Sequence, residues 1–169
     1  MGRQGADAER GRPGLAVGPD DGKRGPAGYD AGKKVKGRKR FLVVDTLGLI
    51  SAVAICAASV QEIPGARPVL TQLAGRCPRL ERIWADAAYE SGALAAWTAE
   101  TLGATLTIVP RPAGQRGFTP LPKRWVVERT FGWLNKYRRL SKDYEQNPRS
   151  SEAYLYLAMT HLMVRRLAT

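Results

Sequence analysis

The chain has 169 residues, 44% of them hydrophobic, and carries a formal net charge of +12 with an isoelectric point near 10.2. That length holds one domain with a real core, and the apolar share excludes a wholly disordered polypeptide. The charge points to an anionic partner, nucleic acid first, because phosphates offer a dense row of charge for Lys and Arg to neutralise; a ribosomal or merely cationic protein is the plainer alternative.

Residues 1–27 are rich in Gly, Pro, Arg and Asp and almost free of large apolar side chains. They cannot offset their ordering entropy by burial, so a disordered tail is expected there, followed by one domain over residues 28–169. No secretory signal is visible in them. A basic block follows, Lys33-Lys34-Val35-Lys36-Gly37-Arg38-Lys39-Arg40. It reads either as a solvated linker or as a phosphate-binding arm.

Phe41 to Asp45 and Leu49 to Cys56 read as two buried strands around the turn Asp45-Thr46-Leu47-Gly48. The turn and the β-branched residues beside it argue against a membrane span over 41–60, and a soluble protein is expected. Glu62 to Ala74 reads as a helix entered near Pro64 or Pro68, and Leu80 to Ala85 as a strand ending at Asp86. Ser91 caps a helix through Leu102; Ala104 to Val109 is a further strand. Arg111 to Pro122 is a Gly/Pro-rich loop, and a helix is expected from about Lys123 to Leu140. Asn147-Pro148 breaks it, and Ser150 or Ser151 caps a last helix to about Arg166. Alternating strands and helices give an α/β layered domain.

Cys56 and Cys77 lie 21 positions apart without a CxxC, which reads as two free thiols in a reducing compartment. The single histidine, His161, gives little support to His-based catalysis.

Two carboxylates stand apart. Asp86 follows the apolar Ile83-Trp84-Ala85, and the end of a strand in an open α/β sheet is where ligands bind. A turn-forming Asp at a strand exit is the plainer reading. Glu128 shares a helical stripe with Arg124, Gly132, Asn135 and Arg139, beside an apolar stripe of Val127, Phe131 and Leu134. An ordinary Glu–Arg surface pair is the plainer reading of that spacing. Between Arg111 and Lys142 there are nine Lys and Arg residues, and Glu128 is the only acid. That setting suits either an ion-paired Glu or a metal ligand inside a phosphate-binding face. Trp125, Trp133 and Tyr137 are interleaved, for packing or for stacking on a splayed base. Mg²⁺ prefers carboxylates and water, and two such ions about 4 Å apart serve phosphodiester cleavage, but they call for a third carboxylate.

Gly28-Tyr-Asp-Ala-Gly-Lys-Lys-Val-Lys-Gly-Arg-Lys-Arg40, Val44-Asp-Thr-Leu-Gly48, Trp84-Ala-Asp86 with Tyr89, Arg124-Trp-Val-Val-Glu-Arg-Thr-Phe131 with Trp133, Arg138-Arg-Leu140, Lys142-Asp-Tyr-Glu145 and Ser150-Ser-Glu-Ala153 occur in this order. Together they resemble the DDE transposases of bacterial insertion sequences, specifically the insertion-sequence-5 group of the insertion-sequence-4-like family. The resemblance implies a ribonuclease H-like α/β fold, a mixed sheet flanked by helices, that cuts and joins DNA with Mg²⁺ or Mn²⁺. It implies Asp86 and Glu128 as catalytic, metal-binding acids. It implies DNA contacts from Lys33, Lys34, Lys36, Arg124, Arg129, Lys136, Arg138 and Arg139. Transposon ends and target DNA would be the partners, with a homo-oligomer and a cytoplasmic, nucleoid-associated location.

Two departures stand out. Asn135 occupies the position of a basic residue about two turns after the Glu, and Lys136 follows it. The family's first Asp, in an Asp-Ser-Gln-Ser-Val-Lys type strand ahead of Gly28, has no counterpart: Asp7, Asp20 and Asp21 lack an apolar run beside them, and Asp45 sits in a turn where its role is structural. The first strand is therefore expected to be missing, with residues 1–27 joined to a truncated transposase through a frameshift. A catalytically inactive DNA-binding remnant, or an inhibitor of full-length transposase, is the alternative function.

Overall fold

The computed structural model describes residues 25–32, 34–110 and 125–168. Most of the expected tail, the loop expected from Arg111 to Pro122 and the first residues of the helix after it lie outside these.

Strands β1 (Gly28–Asp30), β2 (Val35–Val44) and β3 (Ile50–Ala57) form an antiparallel sheet in that order. The β2–β3 hairpin is set by its turn. Asp45 Oδ1 accepts from the backbone N–H of Leu47 at 2.8 Å and of Leu49 at 2.9 Å, and Gly48 takes the left-handed φ of +84°. Asp45 thus has the structural role expected of it. Among the described residues no helix is long and apolar enough to cross a membrane, and both cysteines are free thiols.

The basic block departs from the linker reading. From Val35 onward it is strand, and Lys39 and Arg40 are only 4% and 6% exposed. Lys39 Nζ sits 2.7 Å from Asp30 and donates to the Val60 carbonyl at 3.0 Å; Arg40 Nη1 donates to the Leu140 carbonyl at 2.7 Å. Buried cations persist only when paired in this way. Their partners are remote in sequence, so charge density alone could not reveal them.

Helix α1 (Glu62–Thr71) packs on the hairpin. Strands β4 (Arg82–Ala85) and β5 (Thr105–Ile108) pair in parallel through α2 (Gly92–Leu102). Ser91 Oγ accepts from Leu94 N–H at 3.3 Å as the expected cap, and Gly103 ends the helix at φ +63°. Helices α3 (Trp125–Leu134) and α4 (Pro148–Leu167) complete the chain.

Two helix expectations are corrected. The helix expected to reach Leu140 stops at Leu134; Tyr137 is extended, and Arg138–Leu140 is a 3-10 turn. Burying Leu140 beside Leu42 and Leu155, with its carbonyl on Arg40, outweighs helix continuation. Asn147-Pro148 opens the last helix rather than merely ending the previous one. Asn147 Oδ1 accepts from Arg149 N–H at 3.0 Å, and Pro148 takes the first helical position, where its missing N–H costs nothing. Ser151 is instead buried, donating to Asp143 at 2.6 Å.

Strand alternation divides the hairpin into two apolar faces. Phe41, Val43, Ala52 and Ala54 meet α1, β4 and α2 through Val69, Leu70, Ile83 and Leu94. Leu42, Val53 and Ile55 meet Leu134, Leu140, Leu155 and Ala158 on the other side. Such a doubly covered hairpin explains the continuous apolar run in the sequence. Gly65 of α1 lies against the Phe41 ring, and an added Cβ would come within 2.2 Å of it. We expect Gly65→Ala to lower unfolding stability by about 1–3 kcal/mol through overpacking, measured by urea denaturation; an unchanged midpoint would refute the close approach.

Candidate catalytic carboxylates and basic face

The two sheets are not hydrogen-bonded to each other; β1-β2-β3 and β4-β5 stand apart. A cavity of about 960 Å³ opens between them. Its walls are the end of β2 with the turn (Val43 to Thr46), strand β4 (Arg82 to Trp84), the first turn of α3 (Trp125 to Val127) and the Leu73 to Leu80 segment. Asp45 lines it directly. Asp86 lies two residues beyond Trp84, and Glu128 one beyond Val127. Both sequence-selected acids therefore sit on segments that border one cavity.

Asp86 follows β4 as expected. Its Oδ1 accepts from Ala88 N–H at 3.0 Å and caps the 3-10 turn Ala87–Tyr89. The cap leaves the carboxylate partly exposed while fixing its direction. Tyr89, buried beneath, has its phenol pushed far above the ordinary value by burial first, then by the charges of Asp86 and Glu62.

Glu128 lies in the first turn of α3 and is half-buried. Thr130 moors this helix: its Oγ1 donates toward the Gly48 carbonyl at 2.8 Å, with the Val126 carbonyl at 3.0 Å. Because α3 ends at Leu134, Asn135 and Arg139 do not continue the Glu128 stripe. Asp45, whose Oδ1 serves the turn, does not complete a ligand set with the two acids. Among the described residues no group of three or more His, Cys, Asp or Glu is placed to hold a metal. The described residues thus do not fit a two-ion site.

The basic candidates separate by environment. Lys34 and Lys36 are exposed on the β1–β2 hairpin, and Lys136, Arg138 and Arg139 are exposed after α3. Arg139 also bonds Glu145 at 2.7 Å and lies 4.5 Å from the Tyr154 ring centroid. Arg129 is committed to packing. Its guanidinium sits between Trp125 and Trp133, 4.2 and 4.6 Å from their centroids, and donates to the Leu47 carbonyl at 3.0 Å. Arg166 covers the same Trp133 at 4.4 Å. Lys33 and Arg124 lie outside the described residues. Sequence reading missed the tryptophan–arginine stack, although the i, i+4, i+8 spacing of Trp125, Arg129 and Trp133 was its signal. It also missed Asp143 as a brace, 2.6 Å from Arg38 and bonded to Ser151.

Tyr89 supplies a pH test. In the unfolded chain its phenol ionises near the ordinary value of 10, while in the folded chain it stays protonated. The folded value is raised, so its contribution is complete below pH 10 and is lost as pH rises further. Tyr89→Phe is expected to flatten the fall in melting temperature above pH 10; an unchanged slope refutes the buried neutral phenol.

A family model described as the transposase DDE domain matches residues 7–163. No curated protein and no solved structure matches the chain. The family match spans nearly the whole sequence, Asp86 and Glu128 included: the chain belongs to the DDE transposase domain family.

Proposed function

We propose that this chain is the DNA-processing core of an insertion-sequence transposase of the insertion-sequence-5 group, built on a ribonuclease H-like plan, with Asp86 and Glu128 as its reaction-centre acids. Membership in the family implies transposase-type processing of DNA, and the family generally uses divalent metal. The observation that carries the site assignment is the common cavity, bordered by the β4 segment leading to Asp86 and by the α3 turn holding Glu128. The reaction is hydrolysis of a donor strand followed by attack of its 3′-hydroxyl on target DNA. Exposed Lys34, Lys36, Lys136, Arg138 and Arg139 supply phosphate contacts. Arg129 acts by holding Trp125 and Trp133, which also keeps the Glu128 helix in place.

A second reading is favoured by one specific observation, the lack of a third acid beside these two among the described residues. On that reading the chain is a truncated copy that binds DNA without cutting, or that joins full-length transposase as an inhibitory partner. Binding and cutting separate the two. With Mg²⁺ or Mn²⁺ added, an active chain nicks DNA bearing transposon ends, and Asp86→Asn or Glu128→Gln abolishes nicking without weakening DNA binding. Salt-dependent binding with no nicking in either metal assigns the inactive form. In both cases Lys34→Ala with Lys36→Ala is expected to reduce the slope of log affinity against log salt by roughly 2, near 0.9 per lost phosphate contact. An unchanged slope removes the hairpin from the DNA face.

A further inference from the structure

The segment that leads from α1 into β4 carries a row of cations. In Arg76-Cys77-Pro78-Arg79-Leu80-Glu81-Arg82-Ile83 an arginine stands at every third position, and each is followed by an apolar or sulfur-bearing side chain. Those followers are the anchors. Ile83 is buried in the core, and Cys77 and Leu80 pack against it. The backbone is fixed as well. The N–H groups of Arg76 and Cys77 donate to the Leu73 carbonyl at 3.0 and 3.1 Å, and Leu80 N–H donates to the Cys77 carbonyl at 3.0 Å. Thr105 N–H donates to the Glu81 carbonyl at 2.9 Å. The arginines are thus carried on the outside of a pinned segment. All three are exposed, and all three line the cavity between the sheets.

Among the described residues no acid neutralises them. Ion pairs there fall on Arg38, Lys39 and Arg139, and ring stacking on Arg67, Arg129, Arg139 and Arg166. Of the described acids only Asp45 lines the cavity, and its Oδ1 already accepts two turn amides. Three like charges so close along the chain repel one another, and salt only weakens that repulsion. A row of phosphates relieves it: a guanidinium meets two phosphate oxygens with two parallel N–H donors, and each contact releases a condensed counterion. The first turn of α3 lines the same cavity as far as Val127, the residue before Glu128.

We propose that Arg76, Arg79 and Arg82 form a phosphodiester-binding row that holds one strand of DNA along this cavity. The row rests on the transposase reading for the identity of the polyanion, not for any bond cleavage. An acidic protein segment is the competing partner. DNA is favoured by the net charge of +12 and by the family. Half-buried Trp84 also lines the cavity, and an indole beside cations suits nucleic acid better than a chain of carboxylates.

The test is DNA binding by the full chain without divalent metal, so that no strand is cut, with duplex and single-stranded DNA of one sequence. Arg76→Ala with Arg79→Ala and Arg82→Ala is expected to lower the slope of log affinity against log salt by about 2–3, near 0.9 per lost contact on duplex and 0.7 on a single strand. The DNA form that shows the loss is the form the row holds. Because the three side chains are exposed, the melting temperature stays unchanged. Lysine at the same three positions keeps the slope and lowers the affinity, since an ammonium retains the charge without the fork. Cys77 gives a local reading: bound DNA slows its alkylation and leaves that of Cys56 unchanged. An unchanged slope in the folded triple variant, or alkylation of Cys77 indifferent to DNA, overturns the row. Capture of poly-glutamate by the three arginines, with DNA binding unaffected by their loss, overturns it in favour of an acidic protein partner. Nicking in Mg²⁺ is scored separately. A reduced slope in a chain that never nicks retains the row and counts against the catalytic acids; nicking with an unchanged slope rejects the row and retains the acids.

Discussion

The rest of the fold depends on burial of one hairpin from both sides. β2 and β3 carry apolar side chains on each face, and among the described residues α1, α3 and α4 seat against them. Phe41 and Val43 look toward α1 and the parallel pair; Leu42, Val53 and Ile55 look toward α3 and α4. Neither core is large alone.

The same hairpin positions the chemistry. Its turn is built by Asp45, and that turn is the landing site of α3: Thr130 bonds the Gly48 carbonyl, and Arg129 bonds the Leu47 carbonyl from between two tryptophans. Glu128 rides on a helix held at its middle, not on a free surface helix. Asp86 is directed by a different device, a short cap over a 3-10 turn with a buried tyrosine beneath. The two acids thus come from independent supports, each on a segment next to residues that line one cavity. Buried Lys39 and Arg40 complete the frame by tying β2 to Asp30 and to the Leu140 carbonyl, so part of a conspicuous cationic block is scaffold rather than contact surface.

The cavity bordered by both sheets lies within the region that the family match covers. The DDE transposase match runs from residue 7 to 163, whereas the described sheets lie apart.

Much of this was legible in the sequence because it is local. Continuous apolar runs on either side of the Asp45–Gly48 turn gave the hairpin, Ser91 marked the start of α2, and Asp86 after Ile83-Trp84-Ala85 lay at the strand exit as expected. Several distinct motifs in order pointed to the family. What spacing could not supply was set by partners distant along the chain. Leu140 ends a helical stripe early because its side chain is worth more in the core than in another turn. Lys39 and Arg40 become interior because an Asp and a carbonyl meet them there. Arg129 is withdrawn from the basic face by two indole rings. Local sequence determined which residues form strands, caps and turns; tertiary packing alone decided which charges are buried, where α3 stops and that two strand edges face a common space, since these depend on desolvation and on contacts between residues far apart in the chain.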